Sequence, residues 1–268
     1  MVFAAGGRNL FRRLQRTHRA PSVERRASAL ALKAGHARAN DHSNRLLSSL
    51  SASDLGLLRP HLEPVTLELR RVLEAPNKRV ADVYFIEAGI ASVVAVQAKE
   101  TKVEVGLIGR EGMTGLPIVL GNHRSPQSTC IQAAGHGQCI GAMELRKALD
   151  ASPSLHASLL KYVQAFMVQT SHTAIANARA KIDARLARWI LMADDRIDGD
   201  KLPLTHEFLS LMLGVRRAGV TVALHALERQ GLIRASRGEI VVRNRRGIER
   251  RAGESYGVPE AEFRRLIG

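Results

Sequence analysis

Residues 204–233, LTHEFLSLMLGVRRAGVTVALHALERQGLI, carry two apolar periodicities interrupted by one glycine, and that interruption constrains the fold more than any other feature of the chain. Phe208, Leu209, Met212 and Leu213 recur at intervals of three and four, the stripe of a helix with one buried face. Thr205 stands where a hydroxyl caps the first turn. Gly214 ends the helix, because a residue without Cβ takes the left-handed turn without strain. A second stripe, Val220, Leu224, Leu227 and Ile233, starts within a few residues. Two helices so closely joined form a helix-turn-helix. From Leu232 to Val242 the sequence alternates and breaks at Ser236, Arg237 and Gly238, which predicts a two-stranded wing with Arg237 at its tip.

Arg216 and Arg217 open the second helix of this motif. Residues there meet base edges in the major groove, and arginine pairs in bidentate fashion with guanine O6 and N7. The expected partner is therefore double-stranded DNA. Arg217, with Arg216, is the candidate base reader; Thr205, His206 and Arg237 are candidates for phosphate contact, and Thr221 completes the DNA-binding set. A plain helical hairpin with a solvated charged face is the alternative, but such hairpins rarely run on into a basic β-ribbon.

The net charge of +15 is distributed to suit this reading. Residues 201–251 hold eleven Lys and Arg against four acids, and residues 1–40 hold nine against one, whereas 41–200 are nearly balanced at eighteen against seventeen. Charge concentrated on the winged motif fits counterion release from phosphate, and a neutral middle suggests a separate task such as sensing or assembly. The Arg-rich start lacks the apolar core of a secretory signal and reads as a disordered basic extension, residues 1–43. No apolar run approaches the eighteen residues of a membrane span, and there are only two cysteines, so a cytoplasmic protein without membrane contact is expected.

Residues 65–142 are rich in Val and Ile and punctuated by glycines. Short apolar strands such as Val83–Glu87, Ala91–Val96 and Val103–Ile108 predict a small barrel or jelly roll. Pro153 then opens a long helix on which Leu155, Leu159, Tyr162, Phe166, Thr170, Thr173 and Asn177 follow one another at three and four residues. Such a seam would pair with its own copy across a twofold axis; packing on its own barrel is the alternative. The dimerisation set is thus Leu155, Leu159, Tyr162, Phe166 and Thr173. The expected fold is α+β, with a β-roll sensor domain at 44–152, a long dimerisation helix at 153–180, a winged helix-turn-helix domain at 181–251 and a C-terminal tail at 252–268.

This order of parts, together with DVYFIEAGIASVV at 82–94 and VEVGLIGREGMTGLPIVLG at 103–121, resembles the Crp/Fnr family of bacterial transcription regulators over residues 44–265. The resemblance implies a homodimer on a pseudo-palindromic operator, with RNA polymerase as a further partner. It also implies that the β-roll or the long helix senses a signal and repositions the DNA-binding domains. In the cyclic-AMP-binding members a glycine is followed by a glutamate for the ribose and an Arg-Ser pair for the cyclic phosphate. Gly115, Arg124 and Ser125 match, but Leu116 stands in place of the glutamate. Thr170 and Ser171 align with the Thr-Ser pair that contacts adenine there. These five residues are the effector-binding candidates, and a nucleotide-binding module acting on a partner protein is the competing function. An iron-sulfur centre needs four thiolates, and the spacing of Cys130, His136 and Cys139 suits no closed zinc site, so no cofactor or metal is expected. An oxygenase barrel wants clustered His and carboxylate ligands, and residues 81–142 offer only His123 and His136, both beside turn glycines. Among the DNA readers, Arg217 matches the family's guanine-reading arginine, while Ala218 replaces the glutamate that follows it and removes an acceptor for cytosine N4. In the tail, Gly253 and Ser255 hold positions occupied by cysteines in related regulators, which leaves no thiol there for redox chemistry.

Overall fold

The computed structural model describes residues 42–96 and 102–268. The basic extension predicted at the N-terminus lies almost wholly outside the described residues.

Two short helices, α1 (Arg45–Ser48) and α2 (Ala52–Leu58), lead into the sheet. Asn44 explains why the domain begins there. Its side-chain oxygen caps α1 at Leu47 N, and its amide donates to Ile86 O (2.7 Å) and Gly112 O (2.8 Å), so every polar atom is used in a fully buried site. The sheet contains β1 (Glu63–Leu67), β2 (Val72–Glu74), β3 (Asp82–Val96), β4 (Lys102–Ile108) and β5 (Ser128–Gly141), in the antiparallel order β1-β5-β3-β4 with β2 also on β5. A short helix, α3 (Leu116–Val119), precedes β5.

Two turns expected from glycines are absent. Residues 82–96 form one bent strand, with irregular register around Gly89, and β5 runs through Gly135, His136 and Gly137. A Cβ at Gly135 would lie inside the backbone of Ala88, so this glycine lets two strands approach rather than ending one. His136 is therefore a mid-strand residue opposite Thr66 and Ala88, not a turn histidine.

After α4 (Ala142–Ala151), the long helix α5 (Pro153–Arg179) is capped by Ser152 and packs against β4. Here the seam read from the sequence has to be corrected. Leu155 and Leu159 are fully buried, and Tyr162, Phe166 and Thr173 are 2, 5 and 2% exposed within a single chain. They pack on their own β-roll, so they are not a surface for a second copy. Periodicity identifies a buried face but not what buries it.

The glycines of 106–115 explain how closely α5 sits. A Cβ at Gly106 would come within 2.8 Å of the Phe166 ring, one at Gly109 within 2.7 Å of the Arg196 side chain, and one at Gly112 would overlap Tyr162. Three glycines at intervals of three thus press the β4 turn against α5 and against the end of the next helix.

That helix, α6 (Ile182–Asp194), begins the C-terminal domain. It is followed by β6 (Lys201–Leu202), α7 (His206–Leu213), α8 (Arg217–Arg229), the hairpin β7 (Ile233–Ser236) and β8 (Glu239–Val242), then α9 (Arg245–Ala252) and α10 (Val258–Ile267). Trp189, Phe208, Leu224 and Leu227 form its core, and Ile90, Leu107 and Ala133 of the β-roll belong to the same cluster. The two domains therefore share one apolar interior. The C-terminal segment is part of it too. Helix α10 lies on α5, with Phe263 and Ile267 against the core of the β-roll, and Arg188 Nε donates to Ser255 O at 2.9 Å.

Candidate nucleic-acid interface

Helices α7 and α8 meet at 102° across residues 214–216. The sequence builds this corner from three features. Thr205 Oγ1 accepts from Phe208 N (3.2 Å) and caps α7; Gly214 takes φ +61° and ends it; Ser210 Oγ donates to Val215 O, here at a separation of 2.5 Å, and holds the turn. Val220, Ala223, Leu224 and Leu227 bury one side of α8, which turns its other side to solvent.

The predicted DNA-binding residues gather on that open side. Arg216 is the N-cap residue of α8 and Arg217 its first helical residue. The Arg217 side chain is 67% exposed and lies 3.4 Å from Glu207 Oε2, a surface pair of little strength. Thr221 Oγ1 donates to Arg217 O (3.1 Å) and lies 3.4 Å from His206 Nδ1, so His206 and Thr221 sit side by side across the two helices. The wing forms as expected: Ser236 pairs with Glu239, and Arg237 is exposed at the two-residue turn with Gly238 at φ +79°. A Cβ at Gly238 would lie 3.9 Å from the Thr205 methyl, so the wing tip sits beside the start of α7. All six candidates thus belong to one surface.

Three further residues on this surface escaped the sequence reading. Val222, His225 and Arg229 are exposed on the outer face of α8, spaced three and four apart. Their signal in the sequence is the complement of the buried stripe Val220, Leu224 and Leu227. Arg234 and Arg243 add exposed charge on and beside the wing.

The effector candidates lie on three elements, the start of α3, the loop before β5 and helix α5. Gly115 takes φ +75° at the start of α3, and its N–H donates to the buried Glu74 carboxylate at 2.5 Å. Glu74 also accepts from Thr129 Oγ1 (3.3 Å); burial raises its pKa against the pull of these two donors. The Gly115 N–H is thus already satisfied by a carboxyl group of the chain itself. Arg124 is exposed in the loop before β5, and the buried Ser125 hydroxyl accepts from Gln127 N (3.1 Å). Thr170 and Ser171 donate their hydroxyls to Met167 O in their own helix, at 2.8 and 2.9 Å. Cys130 and Cys139 are thiols on β5, and burial pushes the Cys130 thiol up to about 11. Among the described residues no group of three His, Cys, Asp or Glu side chains is placed to hold a metal. No single helix among them is long and apolar enough to cross a membrane.

A different polar cluster links the domains. Arg196, at the end of α6, pairs with Glu111 of the β4 turn at 2.7 Å. Arg110 pairs with Asp198, and Arg245 pairs with Asp194 and with Asp195 (2.7 Å). Tyr256 donates to Asp195 Oδ2 (2.7 Å), so sheet turn, α6 and C-terminal segment meet around a cleft of about 400 Å³.

Residues 184–251 match the family of Crp-like helix-turn-helix domains. No curated protein sequence matches the chain. Among solved structures, it is similar to CLP, a c-di-GMP-responsive global regulator of Xanthomonas campestris, at 15% identity and a TM-score of 0.59, over 72% of this chain and 99% of that one. FixK2 of Bradyrhizobium japonicum gives 14% and 0.61, over 72% and 98% of the two chains. A Crp/Fnr-family transcriptional regulator of Thermus thermophilus gives 21% and 0.57, over 71% and 98%. At such identities the likeness is one of fold.

Proposed function

The chain carries a Crp-like helix-turn-helix domain on the Crp/Fnr fold, and from that premise we propose that it is a transcription regulator that binds DNA as a homodimer, reading a pseudo-palindromic operator. The observation that carries this reading is the solvent-facing side of α8, with Arg217 exposed at its first turn and the basic wing beside it. Arg217 reads guanine, and Arg216 supports it at a neighbouring base or phosphate. Thr205, His206, Thr221 and Arg237 fix the helix on the backbone.

The dimer uses the outer face of α5. Ala157, Leu160, Gln164, Met167, Ser171, Ala174 and Ala178 follow at alternating intervals of three and four, the repeat of a coiled-coil seam. Leu160, Met167 and the adjacent Ile175 are 40, 56 and 56% exposed, an apolar stripe that lies opposite the face buried on the β-roll. Ser171 belongs to this stripe, which gives it a packing role without a nucleotide. The β-roll serves as the sensor-type domain, joined to the DNA-binding domain through Glu111–Arg196 and the shared apolar core.

Selection of bound duplexes from a random pool, using the full chain, tests this reading. Two inverted half-sites about one helical turn apart are expected. Recovery of a single asymmetric site would contradict the dimer, and recovery of no sequence at all would contradict the regulator.

A further inference from the structure

The middle of α8 presents an apolar surface where DNA-binding helices are ordinarily polar. Val222 is 67% exposed, the largest value among the exposed large hydrophobic residues of the described chain. It lies four residues after the exposed Ala218 and therefore one turn further along the same face. Arg217 and Thr221 flank this pair on one side, His225 and Arg229 continue it, and each is at least partly exposed. The face is thus a short apolar strip between groups that bind phosphates and base edges.

Two alternatives are poorly matched to these facts. A buried role within the domain fails because Val222 points away from the core formed by Val220, Leu224 and Leu227. An apolar protein partner fits badly, since the strip is only two residues wide and is bounded by arginines. Among the edges of the major groove, one group is apolar: the C5-methyl of thymine.

We propose that Val222, backed by Ala218, is a specificity-determining residue that selects thymine by its C5-methyl, within the half-site whose guanine Arg217 reads. The inference rests on the DNA-reading function proposed above. The branched side chain is stiff in a helix, so its two methyl groups face the groove at little further entropic cost. Hydrogen-bonding readers on the same helix set the polar bases, and Val222 excludes cytosine, which offers an amino group and no methyl at that position.

The test uses the full chain and duplexes recovered by selection. Each thymine of a half-site is replaced in turn by deoxyuridine, which keeps base pairing and removes only the methyl. Replacing the contacted thymine in one half-site is expected to weaken wild-type binding about four-fold, the effect of one buried methyl-sized group, and in both half-sites about fifteen-fold. The variant Val222→Ala, at an exposed position where alanine favours the helix, is expected to bind the thymine and deoxyuridine duplexes equally. Two results would overturn the inference: no thymine methyl affects wild-type binding, or the same methyl dependence persists in Val222→Ala. Failure to recover any operator would instead remove the underlying function, and the inference with it.

Discussion

Gly112→Ala is expected to lower the stability of the chain by about 3 kcal/mol, the sum of an overpacking cost and a lost buried hydrogen bond. A Cβ at this position would lie 2.5 Å from Tyr162 Cζ and 2.6 Å from Cε2. Neither side can move aside. The backbone of Gly112 is tied by its N–H to Gly109 O (3.0 Å) and by its carbonyl to Asn44 Nδ2 (2.8 Å). Tyr162 is 2% exposed, and its hydroxyl donates to Met113 O (3.2 Å). Thermal unfolding should show a melting temperature lower by roughly 10 °C. The source of the loss can be checked by a second substitution: Tyr162→Leu should cost less in the Gly112→Ala background than in the wild type. Equal costs in the two backgrounds would place the strain elsewhere.

The second large effect concerns Glu104, a fully buried carboxyl of β4. Burial pushes its pKa up to about 8, against the Ser92 hydroxyl that donates to it and the charge of Arg188. In the unfolded chain the same group ionises near 4.5. Between these values the folded state holds a proton that the unfolded state has released, so stability falls as the pH rises and levels off above about 8. From pH 6 to pH 8 the loss is about 2 kcal/mol, or roughly 5 °C in melting temperature. Glu104→Gln removes this component. The difference in melting temperature between the variant and the wild type should widen in the variant's favour across that interval. A difference independent of pH would show that Glu104 is ionised in the fold as it is in the unfolded chain.

Much of the C-terminal domain was legible because its signals are local. Thr205, Gly214 and the two apolar stripes each act within a few residues, and the wing is set by its own alternation and turn. The β-roll was legible as a class but not in its details, because a glycine that ends a strand and one that lets strands approach look alike in sequence. Gly135 and Gly137 are of the second kind, and so are the glycines at 106, 109 and 112. Their partners, Ala88, Phe85, Phe166, Arg196 and Tyr162, are distant along the chain. The helix seam failed for a related reason. Leu155 to Thr173 announced a buried face, and only the tertiary arrangement reveals that the β-roll buries it and leaves Leu160 and Met167 outside. Gly115, Arg124, Ser125, Thr170 and Ser171 could be aligned by position, whereas the Glu74 carboxylate opposite Gly115 N–H belongs to another strand and gave no local signal.

In the proposed function, Arg217 reads a base rather than merely attracting phosphate. That role is tested most directly by titrating wild type and Arg217→Ala against the selected operator and against a random duplex of equal length, at one salt concentration. The expected result is a loss of about 1 to 3 kcal/mol on the operator with random binding almost unchanged. Equal losses on both duplexes would contradict it.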